Sequence, residues 1–376
     1  MYLQTVKREL QFIKKNLGMM LILIVGPIFL TLLFGGVYSH EYVKDIKIAV
    51  LDEDNSSISE IVINNFATNE RFIIDYYPQS RQELKELIDN GKAAMGVYIP
   101  PEFEKNVTTF NSSQILLITD GSNLVVANNA YAQAVSIIQT ISAGIEIKLL
   151  GGKGLIPQNA TNMALAFNLQ DRVLYDTKMT YMNYLLVCFI AVFIQQMLMA
   201  AYGRIIIEDK QFIKEGKLYV KALGIMTACL MVMLPALFTV LIIIKYLFKI
   251  KLVGNLMIVF LMTIIFAFTL LGPAFALADY TKKRVKFSQI SFMLSLPTFV
   301  ASGAVWPVEQ MPKGVQVLSK LLWPLINYAK PMQEIIVKGR EGYTVIPEII
   351  FMLIWGTLIL AAATIMLEKR KNAKLT

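Results

Sequence analysis

Long apolar blocks separated by short charged stretches dominate this chain. Blocks of about 20 apolar residues, the length that crosses a bilayer as a helix, fall at 17–38, 179–201, 222–247, 252–278, 287–305 and 345–367. They predict a polytopic α-helical membrane protein with six transmembrane helices. Pro235, Pro273 and Pro297 lie inside three of the spans and should kink or break them. Residues 1–16 place Tyr2, Val6, Leu10 and Ile13 on one stripe with Lys and Arg opposite, the pattern of a cytoplasmic amphipathic helix on the membrane surface. The apolar run of the first span exceeds the roughly 7–15 residues of a signal-peptide core, and no A-x-A site follows it, so it is expected to stay as an anchor.

Between residues 39 and 178 the pattern changes. Short β-prone runs at 46–51, 72–77, 93–99 and 114–119 alternate with helix signals. Ser57 with Glu60 and Ser80 with Glu83 make S-x-x-E capping boxes, Gly91 supplies a stop, and Pro100 and Pro101 open a third helix. Alternation of strand and helix predicts an α/β domain inserted after the first span. A longer helix at 123–150 closes it and ends at Gly151, Gly152 and Gly154.

A third pattern occupies residues 299–332. Pro307, Pro312, Pro324 and Pro331 leave no room for an unbroken helix longer than about ten residues, too short to cross a bilayer. Yet Val315, Val317, Leu318, Leu321, Leu322 and Trp323 oppose Lys313, Gln316, Ser319 and Lys320 at helical spacing. Two readings stand open: a Pro-rich loop between spans, or a segment lying in or dipping into the interface. Irregular backbone at membrane depth persists only where protein buries it or water reaches it, so the second reading sets this segment beside a pathway.

Composition agrees with the spans: 56% of the 376 residues are hydrophobic and the mean hydropathy is +0.55. A net charge of +9 would suit nucleic acid, but the placement of the charge excludes that partner. Lys7, Arg8, Lys14 and Lys15, then Arg204, Lys210, Lys214, Lys217 and Lys221, then Lys282, Lys283, Arg284 and Lys286, then Lys369, Arg370, Lys371 and Lys374 occupy alternate loops. Positive residues stay inside, which puts both termini in the cytoplasm and residues 39–178 on the outer face. Lys245, Lys249 and Lys251 sit at an outer turn, so the rule holds as a bias. The expected order is a cytoplasmic helix 1–16, a first span 17–38, an extracytoplasmic domain 39–178, five spans within 179–367 and a basic tail 368–376. The five spans enclose a cytoplasmic loop at 203–221 and an outer segment at 306–344.

The chemistry is first one of exclusions. Gly91-Lys92, Gly152-Lys153 and Gly216-Lys217 are followed by Ala, Gly and Leu, so no phosphate-binding G-x-x-x-x-G-K-[ST] loop is present and no ATP site is expected. His40 is the only histidine, Cys188 and Cys229 lie inside spans, and Asp52, Glu53, Asp54 and Asp120 lack calcium-loop spacing. No metal and no catalytic residue are expected.

Three constellations remain. In the cytoplasmic loop, Glu208, Asp209, Lys210, Lys214, Glu215 and Lys217 surround Ile206, Phe212 and Ile213. That is either a charged helix shaped to dock a partner or a solvated loop whose lysines fix topology. In the fifth span Ser288, Ser291, Ser295, Thr298 and Ser302 recur at spacings of three and four. Such a stripe either lets helices pack closely or faces a lumen or subunit seam. Gln195 and Gln196 in the second span are a signal of the same kind, because amides inside a membrane need partners.

The layout, together with Ser302-Gly303, Pro307, Met311-Pro312 and Pro324 and the phrases at 48–59, 95–107 and 118–123, resembles the permease subunits of bacterial type-2 ATP-binding-cassette (ABC) exporters. The resemblance covers nearly the whole chain. It implies a half-transporter in the bacterial cytoplasmic membrane: two six-span subunits, identical or paralogous, face each other in the lipid, and separate ABC ATPase subunits carrying ATP and magnesium dock beneath. By the same resemblance residues 208–218 form the coupling helix, 1–16 a gating helix and 307–328 a re-entrant outer gate. The loop keeps the family's charge and one glycine but lacks its threonine. The expected function is outward transport of an amphipathic or lipid-like substrate. The alternatives are a sodium or multidrug exporter of the same architecture, or a membrane-anchored sensor that binds through its outer domain.

Overall fold

The computed structural model describes residues 2–39, 43–165, 172–175, 181–208 and 217–372. The chain divides into two compact units, residues 42–172 and the remainder. The remainder opens with α1 (Tyr2–Lys15), which packs on the helix Leu218–Tyr246. Thr5, Val6, Glu9 and Ile13 are its buried residues, so the inward stripe is turned toward Thr5 and Glu9 and away from Tyr2, whose hydroxyl bonds the Thr227 hydroxyl at 2.7 Å. The cause is a close approach at Gly224, where a Cβ would lie 2.6 Å from Thr5 Cγ2. Next comes α2 (Leu17–Val37). Its π-helical turn at Leu21–Val25 comes just ahead of Pro27, and an extra residue per turn absorbs the missing proline donor.

In the second unit the elements run β1 (Ile46–Asp52), α3 (Ser57–Ala67), β2 (Phe72–Tyr76), α4 (Arg81–Asp89), β3 (Met95–Ile99), α5 (Phe103–Thr108), β4 (Leu116–Thr119), α6 (Leu124–Gly152) and α7 (Pro157–Ala164). Sheet order is β2-β1-β3-β4, parallel except for β4. Strand residues alternate between faces. Ile46, Ile48, Val50, Met95, Val97 and Ile99 meet α3 and α6, while Ala49, Leu51 and Tyr98 meet Leu84 and Ile88 of α4.

Two caps differ from expectation. Ser56, not Ser57, caps α3, its side chain accepting from Ser59 N, because Ser59 Oγ also donates to Asp52 Oδ2 at 2.6 Å and fixes the turn one residue earlier. Pro100 and Pro101 lead into a turn rather than a helix. The next helix starts at Phe103, held by the distant Asp54 carboxylate, which accepts from Phe103 N at 2.8 Å and Glu104 N at 2.9 Å. Partial burial opposes ionisation of Asp54. Bonds from the Ser56 side chain and the backbone N–H groups of Glu104, Phe103 and Glu102 outweigh it and hold the carboxyl below the usual carboxylate range. A depressed folded pKa gives stability that is present at neutral pH and lost as pH falls through it. Asp54→Asn should therefore cost this unit about 1 kcal/mol at pH 7, the usual worth of a cap. In melting curves of the full chain the gap from the parent protein should close in acid.

The chain then returns to the first unit with α8 (Tyr181–Glu208), α9 (Leu218–Tyr246), α10 (Leu256–Thr281), α11 (Arg284–Val300), α12 (Lys313–Leu322), α13 (Ile326–Gln333) and α14 (Ile346–Asn372). Pro235 and Pro297 sit inside continuous helices. Pro273 instead leaves α10 interrupted at Leu270, since it cannot donate to the carbonyl four residues back. Among the described residues six helices are long and apolar enough to cross a membrane. Five match the sequence spans. The expected span at 287–305 is shorter, because α11 ends at Val300 and Gly303 turns the chain at φ +80°, with Val308 against the space a Cβ would fill. The sixth long apolar helix is α6, whose buried Ala127, Ala130, Ala134, Ile137 and Ile141 cover the sheet.

Candidate functional site

α8 is buried on most of its surface and touches α2, α9, α11 and α13. Its aromatic residues interlock with α2 and α11: Phe189 lies 4.7 Å from Phe34 and 5.1 Å from Phe299, centroid to centroid. Gly203 leaves the space that Phe287 fills. Long apolar contacts of this kind fix the helix as a rigid rod, and two polar clusters lie along it.

The first is at its C-terminal end. Arg204 Nε donates to Glu208 Oε2 at 3.2 Å, and Arg284 Nη1, from the start of α11, donates to Glu208 Oε1 at 3.0 Å. Arg204 Nη2 also donates to Asn16 Oδ1 at 2.5 Å, in the joint between α1 and α2. One carboxylate and one guanidinium thus tie three chain segments together at the end of α8. Nearby, Glu9 (1% exposed) and Lys221 (4% exposed) are both buried where α1 meets α9. Buried charges are almost always paired, and Glu9 accepts from Arg8 Nη2 at 2.6 Å.

The second cluster is at mid-helix. Gln195, 1% exposed, accepts from Trp323 Nε1 at 2.7 Å and donates to Thr298 Oγ1 at 3.3 Å. Trp323 is the residue at which α12 ends, so the Pro-rich segment reaches the middle of a 28-residue helix. A second contact agrees: Trp355 Nε1, roughly 14 Å along α14, donates to Leu321 O at 2.6 Å. Beyond the break, Tyr328 is fully buried, shares a hydrogen bond with Thr263 at 2.8 Å and stacks on Phe266 at 4.2 Å. Residues 313–333 therefore form a hairpin whose second arm, α13, packs among the long helices, while α12 meets them at its C-terminal end. No residue of α12 is buried, and Val315, Val317, Leu318, Leu321 and Leu322 are exposed.

Ser291, Ser295 and Ser302 are buried, Thr298 is half-buried and Ser288 is exposed. The stripe faces α8. Ser295, Thr298 and Ser302 donate to carbonyls of their own helix turn, an arrangement that lets neighbouring helices pack closely. Gln196 Oε1 and Ser291 Oγ are buried without a hydrogen-bond partner among the described residues. Met311 and Pro324 are buried, while Pro307 and Pro312 are exposed. Asp209, Lys210, Phe212, Lys214 and Glu215 lie outside the described residues. The acidic phrase of the second unit is engaged: Asp52 holds a turn, Asp54 holds a helix start, and Glu53 accepts from Tyr98 OH at 2.7 Å.

Sequence reasoning missed Asn16, Arg204, Arg284 and Trp323 as site members. Arg204 and Glu208 stand four apart, a spacing that was readable; the others are joined only by the fold. Trp323→Phe should leave the buried Gln195 oxygen unpaired and cost about 1–3 kcal/mol, and Gln195→Leu in the same chain should recover part of it. Thermal melts of the purified protein in detergent measure both.

Residues 18–365 match the family described as ABC-2 family transporter protein. The probable multidrug ABC transporter permease YbhR of Escherichia coli strain K12 is 24% identical over 368 residues, 96% of this chain and 94% of that protein, and its counterpart in the O157:H7 strain matches equally. ABC transporter G family member 20 of Dictyostelium discoideum is 28% identical over 136 residues, 35% of this chain and 18% of that protein.

Proposed function

This chain belongs to the ABC-2 family of transporter proteins, and from that premise we propose that it is the permease half of an exporter that moves amphipathic or lipid-like molecules outward, with ATP hydrolysed on separate subunits. The observation that carries the reading is the sharing of α8 by two clusters. Glu208, Arg204 and Arg284 hold one end, Trp323 of the hairpin meets Gln195, and the two lie roughly 20 Å apart on one rod. A displacement at the 203–221 loop, where the ATPase subunits dock through Glu208, Asp209, Lys210, Phe212, Lys214 and Glu215, reaches the hairpin without passing through flexible chain. The hairpin, with Pro307, Met311, Pro312 and Pro324 at its bends, is the outer gate. The Ser288–Ser302 stripe and the Gln195–Gln196 pair form the seam that gate closes against.

Both termini and the 203–221 loop lie in the cytoplasm of a bacterial cell, and the α/β unit lies outside the cytoplasmic membrane. A second copy or a paralogue completes the path across the exposed apolar face of α12. The multidrug reading has specific support in the name of the Escherichia coli relative, which aligns over nearly the full length of both chains. The test is reconstitution with the ATPase subunits in proteoliposomes. Export of amphipathic dyes should require ATP and a hydrolysis-competent ATPase. Undiminished export by the chain alone would refute the proposal.

A further inference from the structure

A cavity of about 320 Å³ lies between the hairpin and the first turn of α14, entirely within the first unit. Glu309, Glu334, Glu348, Lys320, Lys330 and Arg340 line it, so its wall carries three negative and three positive charges. Most of them pair. Arg340 donates to Glu334 Oε2 at 2.9 Å and to Glu348 Oε1 at 3.0 Å, and Lys330 donates to Glu309 at 3.0 Å.

Three groups are left over. Lys320 forms no ion pair among the described residues, although its charge is felt at Glu309. Glu348 Oε2 is buried with no donor, and Asn327 Nδ2, in the same wall, is buried with no acceptor. A buried polar atom without a partner costs about 1–3 kcal/mol, which points to a ligand that supplies both. The wall is neutral in sum, so a singly charged ion would unbalance it. A zwitterion would not: its cation meets Glu348, and its anion meets Lys320 and Asn327.

The cation must also donate a hydrogen bond to Glu348 Oε2, which a primary ammonium does and a quaternary ammonium cannot. The rest of the lining is apolar, with Val308, Ile326 and Phe351. Flanking it, Leu318 and Leu321 of α12 and Ile350 and Ile354 of α14 are exposed, which suits acyl chains. The cavity has the size of a headgroup and a small share of the volume a whole lipid needs. We propose that this cavity binds the phosphoethanolamine headgroup of a membrane lipid, ammonium toward Glu348 and phosphate toward Lys320, and so seats the hairpin in the bilayer. The inference rests on the membrane placement of the hairpin given above, but not on the substrate or direction of transport.

The test uses the full chain, purified in detergent without ATPase subunits and examined by native mass spectrometry after addition of phosphatidylethanolamine, phosphatidylcholine or phosphatidylglycerol of equal chain length. Phosphatidylethanolamine should be retained severalfold over the other two. Lys320→Gln breaks no ion pair, so it should leave the melting temperature unchanged while lowering that retention roughly fivefold, the loss of one charge-assisted contact. Glu348→Gln should abolish the preference for the primary amine. Equal retention of the three lipids, or undiminished retention in Lys320→Gln, would overturn the proposal. So would water-soluble glycerophosphoethanolamine binding as tightly as the lipid, which would make the ligand a free metabolite. Because no transport is read, these failures leave the exporter reading standing, and loss of ATP-dependent export would leave this site untouched.

Discussion

Glu208→Arg should lower ATP-driven export roughly tenfold or more while the protein still reaches the membrane in normal amount. In the native chain Glu208 separates two guanidinium groups, Arg204 and Arg284, by bonding both. Reversal would put three cations at the junction of α1, α8 and α11, and their repulsion would part the segments that, on the proposed function, the ATPase stroke moves together. The cluster is half-exposed, so little of the effect should appear as lost stability. It should appear as coupling, which between sites is typically about 1–3 kcal/mol, or roughly 5- to 150-fold. Two readouts separate the causes. ATP turnover in the reconstituted complex should continue while export fails, and adding Arg284→Glu should restore part of the export by rebuilding one pair with opposite polarity. Equal export by Glu208→Arg and the parent would mean that α8 does not transmit the stroke.

Gly272→Leu should prevent accumulation of folded protein. At Gly272, α10 crosses α14 so closely that a Cβ would lie 2.8 Å from Ile359 C and Leu360 N. Those are backbone atoms, which no rotamer change can move. Overpacking a core typically costs about 1–3 kcal/mol where side chains can yield; here the helices themselves must separate, breaking the buried contacts of Phe266, Leu271 and Phe275. Gly272→Ala should already lower the melting temperature, and Leu should leave no monodisperse peak in size-exclusion chromatography of the tagged protein. By contrast Gly314, on exposed α12 with open space around it, should accept Ala with no such loss.

The sequence made the architecture readable for a physical reason: a helix that crosses lipid must be long and apolar, so hydropathy and length alone located five of the long apolar helices, and alternation of strand and helix signals located the α/β unit. Residues 123–150, read as the helix that closes the α/β domain, are α6, which is long and apolar enough for a span yet less apolar than the other five and packs its inner half on the sheet. Hydropathy failed at one span. At 287–305 the apolar run continues past the helix, because Ser302-Gly303 turns the backbone inside it.

The site was legible residue by residue but not as a geometry. Gln195 was visible as an amide needing a partner, yet nothing local says that its partner is Trp323, far along the chain. Glu208 was visible as a charge at the edge of a span, while its link to Arg284 exists only once α8 and α11 pack. The serine stripe is a third case. Its spacing was clear and left close packing and a lumen or subunit seam both open, while only the fold shows that Ser295, Thr298 and Ser302 bond to carbonyls of their own helix turn. The acidic phrase at Asp52, Glu53 and Asp54 was readable only as lacking calcium-loop spacing; that its carboxylates hold a turn, a tyrosine and a helix start appears only in the fold.

The central claim, that the hairpin moves when the partner ATPase works, is tested most directly by thiol accessibility. With Cys188 and Cys229, both buried, replaced by Ala, a single cysteine at Leu321 would be titrated with a membrane-impermeant maleimide in proteoliposomes holding the complete transporter. The account predicts that its labelling rate changes severalfold between nucleotide-free and ATP-hydrolysing conditions, and that Glu208→Arg abolishes the change. A rate that stays the same with ATP, with ADP and with no nucleotide, in a preparation that still exports, would contradict it.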